Sequence, residues 1–99
     1  MNKREFIAAV AAKAKLPKNE AAEVVNAVLD VIANTVATGE KVSITGFGSF
    51  EQVHKPARAA RNPTTGVEVK VAESWAPKFR PGSDFKELVN VTGRQVANR

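Results

Sequence analysis

The feature that most constrains this fold is residues 55–66, which read Lys-Pro-Ala-Arg-Ala-Ala-Arg-Asn-Pro-Thr-Thr-Gly. The segment has no acidic residue and no large apolar side chain, so it brings almost nothing that a core could bury. A strand is expected before it, at 49–54, and polar and apolar residues alternate after it, at 67–71, which predicts a hairpin with its turn at 62–66. We therefore expect an arm, about residues 54–75, that projects into solvent.

Apolar residues at helical spacing predict two helices before the arm and one short helix after it. The expected ranges are 3–14, 18–38 and 83–92 for the helices, and 41–45 and 49–54 for two strands. Asn2 and Ser83 are placed as N-caps, and Pro17 is well placed to begin the second helix. We expect a single domain over residues 1–91 and a frayed tail over 92–99.

The second helix is more apolar than one short chain can bury. Its apolar residues cover an arc of about 160°, whereas an ordinary surface helix needs about 100°. Without the arm and tail, about 70 residues remain for a core, a size at which single cores are marginal. A second copy of the chain is the natural cover for this surplus. The expected interface residues are Val28, Leu29, Ile32, Val36, Ile44, Phe47, Phe50 and Phe79.

Positive charge is concentrated in the second half of the chain. Residues 1–50 hold six basic and five acidic residues, whereas residues 51–99 hold nine and five, and the net charge is +5. This balance indicates a polyanionic partner such as nucleic acid or an acidic membrane surface.

The sequence gives little support to an enzyme, a metal-binding protein or a membrane-spanning protein. The chain has no cysteine, and its single histidine, His54, has no obvious acidic partners in the sequence, so a structural role is favoured. We expect no enzymatic activity, no metal and no cofactor. No apolar run is long enough to cross a bilayer, and the short run after Glu5 is better explained by a helix than by a signal peptide. The expected location is the cytoplasm.

Several motifs closely resemble the signature of the HU and integration host factor family. They are Gly46-Phe47-Gly48-Ser49-Phe50, Lys55, Arg58, residues 60–66, the opening Met-Asn-Lys and residues 77–82. The resemblance covers about residues 1–91. It implies an α+β fold in an intertwined dimer, either a homodimer or a pair with a paralogous subunit. Each chain would have two N-terminal helices, a three-stranded antiparallel sheet with a protruding β-ribbon arm, and a short C-terminal helix.

The resemblance also implies a histone-like, nucleoid-associated bacterial protein that binds double-stranded DNA through the minor groove, then bends and compacts it. Because minor-groove edges distinguish base pairs poorly, we expect little sequence specificity and a preference for nicked, gapped or bent DNA. In this family the proline at the arm tip, here Pro63, acts as a wedge between base pairs. The residues expected to contact DNA are Lys3, Gly46, Gly48, Lys55, Arg58, Arg61, Asn62, Pro63, Thr65, Lys70, Arg80 and Lys86.

Three alternatives stay open at the level of sequence. The first is a sequence-preferring DNA bender like integration host factor, and the second is a membrane-surface or protein-interaction module that uses the lysines of the first helix. The third is RNA binding, which the absence of aromatic stacking platforms on the outer arm, at residues 55–66, disfavours. Two positions depart from the family pattern: Ser83 stands where lysine is common, and Trp75 stands where a smaller residue is common. We expect Trp75 to pack at the base of the arm.

Overall fold

The computed structural model describes residues 1–97 and has an α+β fold. Its three helices are α1 (Lys3–Ala14), α2 (Lys18–Ala37) and α3 (Ser83–Ala97). Its five strands are β1 (Val42–Ile44), β2 (Gly48–Lys55), β3 (Arg58–Arg61), β4 (Glu68–Val71) and β5 (Ser74–Pro81). The chain divides into two compact units, Met1–Thr35 and the remainder from Val36 onward. Within residues 1–97, no helix has both the length and the apolar character that a membrane span requires.

The first unit begins with the N-cap that the sequence predicts. The Asn2 side-chain oxygen accepts a hydrogen bond of 2.9 Å from the backbone N–H of Glu5, which satisfies one of the free donors of α1. The helix ends at Lys15, which adopts a left-handed conformation and donates its backbone N–H to the carbonyl of Ala11. Ala21 then donates to the carbonyl of Pro17 at 3.0 Å, which closes the first turn of α2.

A three-stranded antiparallel sheet in the order β1-β2-β5 organises the second unit. Phe50 of β2 lies opposite Val42 on one side and Phe79 on the other. Because side chains alternate along a strand, these residues share an apolar face, while Ser49 and its partner Arg80 point to the opposite, polar face. The sheet therefore separates an aromatic side from a charged side.

The aromatic side holds a cluster of phenylalanine rings. The ring centroid of Phe47 lies 5.1 Å from that of Phe85 and 5.5 Å from that of Phe79, and the centroids of Phe50 and Phe79 are 4.8 Å apart. These separations suit aromatic pairs, which add favourable energy beyond the area that they bury. Phe85 belongs to the first turn of α3, so the cluster fixes the beginning of that helix against the sheet.

The loop between β1 and β2 needs glycine at two positions for different reasons. Gly46 has φ of +85°, a left-handed conformation that side chains with a Cβ adopt at a cost. Gly48 is buried, and a Cβ there would lie 2.6 Å from the carbonyl oxygen of Arg80 and 2.7 Å from the ring of Phe79. The close approach of β2 to β5 at this point is possible only because residue 48 lacks a side chain.

The predicted arm is present as a two-stranded ribbon of β3 and β4, which forms a sheet of its own. It follows β2 after Pro56 and Ala57, and it leads back into β5 after Ala72 and Glu73. Within residues 56–71 every side chain is exposed except Ala60, which is half-buried. The ribbon therefore contributes little to a core, as its composition predicts.

Two parts of the second unit differ from the sequence-based predictions. The predictions assign no strand to residues 74–81, where Pro77 and Pro81 argue against one, yet this segment forms β5. Because β5 lies at an edge of the sheet, prolines are tolerated in it.

The predicted frayed tail is wrong for residues 92–97, because α3 continues to Ala97. Gly93 lies inside that helix, where a glycine costs only about 1 kcal/mol relative to alanine. Residues 98–99 of the predicted tail lie outside the described residues.

Candidate nucleic-acid interface

Basic side chains lie on both faces of the arm ribbon. In the antiparallel pairing of β3 and β4, Arg58 lies opposite Val71 and Arg61 lies opposite Glu68. Because Arg58 and Arg61 are three residues apart on one strand, they point to opposite faces. Lys70 shares the face of Arg61, and all three basic residues are exposed. The ribbon can therefore present a cation to a polyanion on either side.

The tip of the arm is held by a small network of hydrogen bonds centred on Asn62. Its side-chain oxygen accepts from the backbone N–H of Thr64 at 2.8 Å and from that of Thr65 at 3.4 Å. The hydroxyl of Thr65 in turn accepts from the N–H of Val67 at 3.3 Å. Asn62 and Thr65, both predicted to contact DNA, thus shape the turn that carries the exposed Pro63.

The polar face of the sheet carries a cluster of charges that we call the sheet charge cluster: Lys41, Glu51, Lys78 and Arg80. Glu51 of β2 lies opposite Lys78 of β5, and Arg80 Nε donates a hydrogen bond to Glu51 Oε1. This hydrogen bond, helped by the positive charges of Arg80, Lys41 and Lys78, holds the pKa of the Glu51 carboxyl below its ordinary value. Arg80, predicted to contact DNA, is therefore paired with a carboxylate in the free protein.

The same polar face leads to the arm. Positions 49, 51, 53 and 55 of β2 point to one side of the sheet, so Lys55 shares the face of the sheet charge cluster. Lys55 is exposed, and it lies opposite Ser74 at the point where both strands pass into the arm. This face thus carries basic residues both in the sheet and at the base of the ribbon, with Val53 and Ala76 between them.

Lys41, Glu51 and Lys78 are absent from the predicted site. For Lys78 the signal is present in the sequence: Lys78 and Arg80 alternate with Pro77 and Phe79, which is the period of a strand. The two prolines in this segment oppose that interpretation unless the strand is known to lie at a sheet edge. For the other two, no local pattern indicates that Glu51 meets Arg80 or that Lys41 lies near Glu51.

At the base of the arm, His54 and Trp75 face each other across β2 and β5. Their ring centroids are 4.9 Å apart, and His54 Nε2 lies 3.0 Å from Glu73 Oε2. These contacts support a structural role for His54. Trp75 contacts His54 at the point where the sheet passes into the arm, although its side chain is 58% exposed in the single chain.

The remaining predicted contacts are distributed over both units. Lys3 is the first residue of α1, and Lys86 lies near the start of α3; both are exposed, as is Gly46 in its turn. Gly48 differs, because it is buried against the Arg80 carbonyl and the Phe79 ring. Gly48 has a packing role between two strands, and the phosphate contact expected at its backbone stays a prediction.

Large apolar side chains stay exposed in the single chain. Within residues 1–97, the only buried hydrophobic residues are Ala11, Ala21, Val25 and Val36. Five of the predicted interface residues are exposed: Val28, Leu29, Ile44, Phe47 and Phe79. Ile32 and Phe50 are half-buried. Val36 is only 6% exposed in the single chain, and its place in the interface stays a prediction.

Comparison with known proteins places these features in one family. The sequence profile of the family described as bacterial DNA-binding protein matches residues 1–90. The chain is 49% identical over 90 residues to the DNA-binding protein HU 2 of Streptomyces coelicolor; the match covers 91% of this chain and 41% of the relative, so the chain spans less than half the length of that protein. It is 45% identical over 89 residues to the DNA-binding protein HU-1 of Halalkalibacterium halodurans, covering 90% of this chain and 99% of that one.

A solved structure matches as well. The protein in the Anabaena HU–DNA cocrystal structure superposes with a TM-score of 0.82 at 42% identity, covering 90% of this chain and 97% of that chain. The profile match over nearly the whole chain, the identity to the HU-1 relative over almost its full length and the shared fold agree. The chain belongs to the bacterial DNA-binding protein family.

Proposed function

We propose that this protein is a non-catalytic architectural protein that binds double-stranded DNA through the minor groove and bends and compacts it in the bacterial nucleoid, within the cytoplasm. The observation that carries the proposal is the arm: an exposed ribbon with basic residues on both faces and a hydrogen-bonded turn that presents Pro63. Membership of a family of bacterial DNA-binding proteins supports it.

The physical argument starts from the marginal stability of a lone two-stranded ribbon in water. A ribbon with so little to bury is stabilised when a partner orders it, and phosphates are the partner that its charges attract. Arginine suits a narrow minor groove because its planar guanidinium is weakly hydrated and meets the strongly negative potential there. Arg58 and Arg61, on opposite faces, could then approach the phosphates of both strands.

We assign DNA contacts to the arm and to the basic surface at its base. Pro63 is the wedge, and Asn62 and Thr65 hold the turn that presents it. Phosphate contacts are assigned to Lys3, Gly46, Lys55, Arg58, Arg61, Lys70, Lys78, Arg80 and Lys86. A phosphate contact at the backbone of Gly48, which is buried in the single chain, stays a prediction.

Specificity is expected to come from DNA shape. Base edges in the minor groove separate A·T from G·C but little else. Bending intact DNA costs about 1–6 kcal/mol, so nicked, gapped or already bent DNA should bind more tightly. The relatives named above are HU proteins, and no observation favours a sequence-preferring bender of the integration host factor kind.

We also propose that the functional form is a dimer, of identical chains or with a paralogous subunit. Phe47 and Phe79 are 44% and 37% exposed in the single chain, although they belong to its main aromatic cluster. Leaving such rings in water forgoes much of the free energy that burial would supply. A second copy of the chain, with its own α2 and sheet, supplies the apolar surface that would cover these rings.

Fluorescence anisotropy tests the proposal with one random-sequence duplex, intact and with a central nick, at three salt concentrations. We expect tighter binding to the nicked duplex and a steep decrease of affinity with salt, because phosphate contacts release counterions. Equal, weak binding to both duplexes with a flat salt dependence would overturn it. A parallel titration of the protein with anionic vesicles tests the membrane-surface alternative, which predicts vesicle binding at physiological salt.

A further inference from the structure

We propose that Glu51 limits the DNA affinity of the sheet face by neutralising Arg80, so that the protein binds DNA less tightly and with a shallower salt dependence than its basic residues would allow. This inference rests on the proposed function. It concerns the sheet charge cluster, where a single carboxylate lies among three cations.

The geometry shows how the pair is held. In the strand register Arg80 lies opposite Ser49, and Glu51 is its diagonal neighbour, a position within reach of long side chains. Arg80 bonds to Glu51 through Nε, the nitrogen nearest the aliphatic stem. The Glu51 side chain is 23% exposed and that of Arg80 is 59% exposed, so the carboxylate is the more enclosed partner.

Because Arg80 is the more exposed of the two, it can contact a phosphate while Glu51 remains beside it. A phosphate that approached the exposed guanidinium would lie close to the Glu51 carboxylate, and two negative charges a few ångströms apart repel each other. A glutamate carboxyl is ionised at neutral pH, so the repulsion acts under ordinary conditions.

The pairing of Arg80 with Glu51 also affects the salt dependence of DNA binding, which arises from counterion release. The salt dependence of binding grows with the number of phosphates that the protein neutralises. A guanidinium whose charge is already balanced by a carboxylate attracts a phosphate less strongly than a free one does. Wild-type binding should therefore show a smaller salt slope than the number of basic residues on this face predicts.

The test is the substitution Glu51→Gln, which removes the charge but keeps an oxygen that can accept from Arg80 Nε. The matched control is Glu87→Gln, which changes the net charge equally; Glu87 is exposed and lies on the side of α3 opposite Phe85. Both variants and the wild type are titrated by fluorescence anisotropy against the same random duplex at three salt concentrations. Circular dichroism confirms that both variants are folded.

We expect Glu51→Gln to bind about three-fold more tightly at low salt, from the loss of one nearby negative charge per chain. Its salt slope should steepen by about 0.9 per chain. Glu87→Gln should gain less in both quantities. In an Arg80→Ala background the gain from Glu51→Gln should shrink, because Glu51 acts through Arg80.

Unchanged or weaker binding by Glu51→Gln, with wild-type binding intact, would overturn the role of Glu51 and leave the proposed function standing. Equal gains in Glu51→Gln and Glu87→Gln would overturn it too, because the effect would then come from net charge alone. A wild-type protein that does not bind the duplex would overturn the proposed function, and this inference with it.

Discussion

The three-stranded sheet and the arm ribbon are both antiparallel β-structure, but they bury very different amounts of side chain. In the sheet, Phe50 and Phe79 pair across strands and join a cluster with Phe47 and Phe85. In the ribbon, three of the four cross-strand pairs join arginine or lysine to valine, glutamate or alanine, the fourth joins Ala60 to Val69, and nearly all of these residues are exposed. Backbone pairing is common to both regions, so side-chain burial is what separates them.

This difference separates two tasks within one unit of the chain. The sheet has an aromatic face to bury and can serve as a scaffold, whereas the ribbon is free to adapt to a partner because little holds it in place. The pair of His54 and Trp75 marks the boundary between the two regions. Substitutions with the same chemistry on either side of that boundary should therefore have unequal effects.

The largest expected effect is on stability, from alanine in place of glycine in the sheet. Gly48→Ala should lower the free energy of unfolding by about 3 kcal/mol, because its Cβ would lie 2.6 Å from the backbone oxygen of Arg80, which cannot move aside cheaply. Gly66→Ala in the arm is the matched control: it has positive φ but nothing within 4 Å of the added carbon. It should cost about 1 kcal/mol. Urea unfolding at fixed protein concentration measures both, and similar losses would contradict the comparison.

The next effect is on DNA binding, from loss of the arm cations. Arg58→Ala with Arg61→Ala should flatten the salt dependence by about two phosphate contacts per chain, with little change in the unfolding midpoint. Lys13→Gln with Lys15→Asn removes two positive charges from the end of α1 as a control, and asparagine tolerates the left-handed conformation of residue 15. If the salt slope stayed the same in the arm variant, these arginines would not be phosphate contacts.

A narrower effect is expected at the tip. Pro63→Ala should bind with only modestly weaker affinity but bend DNA much less, because the phosphate contacts remain while the wedge is lost. Energy transfer between dyes at the two ends of a duplex reports the bend, and Thr64→Ala serves as a neighbouring control. Equal bending by the Pro63 variant would refute the wedge assignment.

The smallest effect is expected at the boundary between the two regions. Trp75→Ala removes the ring that packs on His54, an aromatic contact of about 1 kcal/mol. Tryptic cleavage after Arg58 and Arg61 should become faster while cleavage within the sheet does not. Trp75→Phe retains a ring and should behave like the wild type. Unchanged cleavage of the alanine variant would show that this contact does not steady the arm.

Much of this architecture could be predicted from local sequence. Asn2 caps α1 as predicted, because a cap depends on residues within one turn. The arm was predictable from what residues 55–66 lack, since a segment without large apolar side chains cannot join a core. The resemblance to the HU and integration host factor family added the expected role of Pro63. These features need only the order of residues along a short stretch.

Other features needed the tertiary structure. Pro77 and Pro81 argue against a strand until β5 is seen at the edge of the sheet, where their missing N–H groups do no harm. Gly48 resembles a turn glycine that could approach a phosphate, and only the packing of β5 against it shows that it is buried.

The chain by itself thus determined where its helices begin, which segment stays out of the core, and where its positive charge is concentrated. These properties follow from each residue and its near neighbours. The tertiary structure decided which distant residues meet: Glu51 with Arg80, His54 with Glu73, and Phe47 with Phe85. Such pairs depend on strand order, register and helix placement, which arise only when the whole unit buries its apolar side chains together.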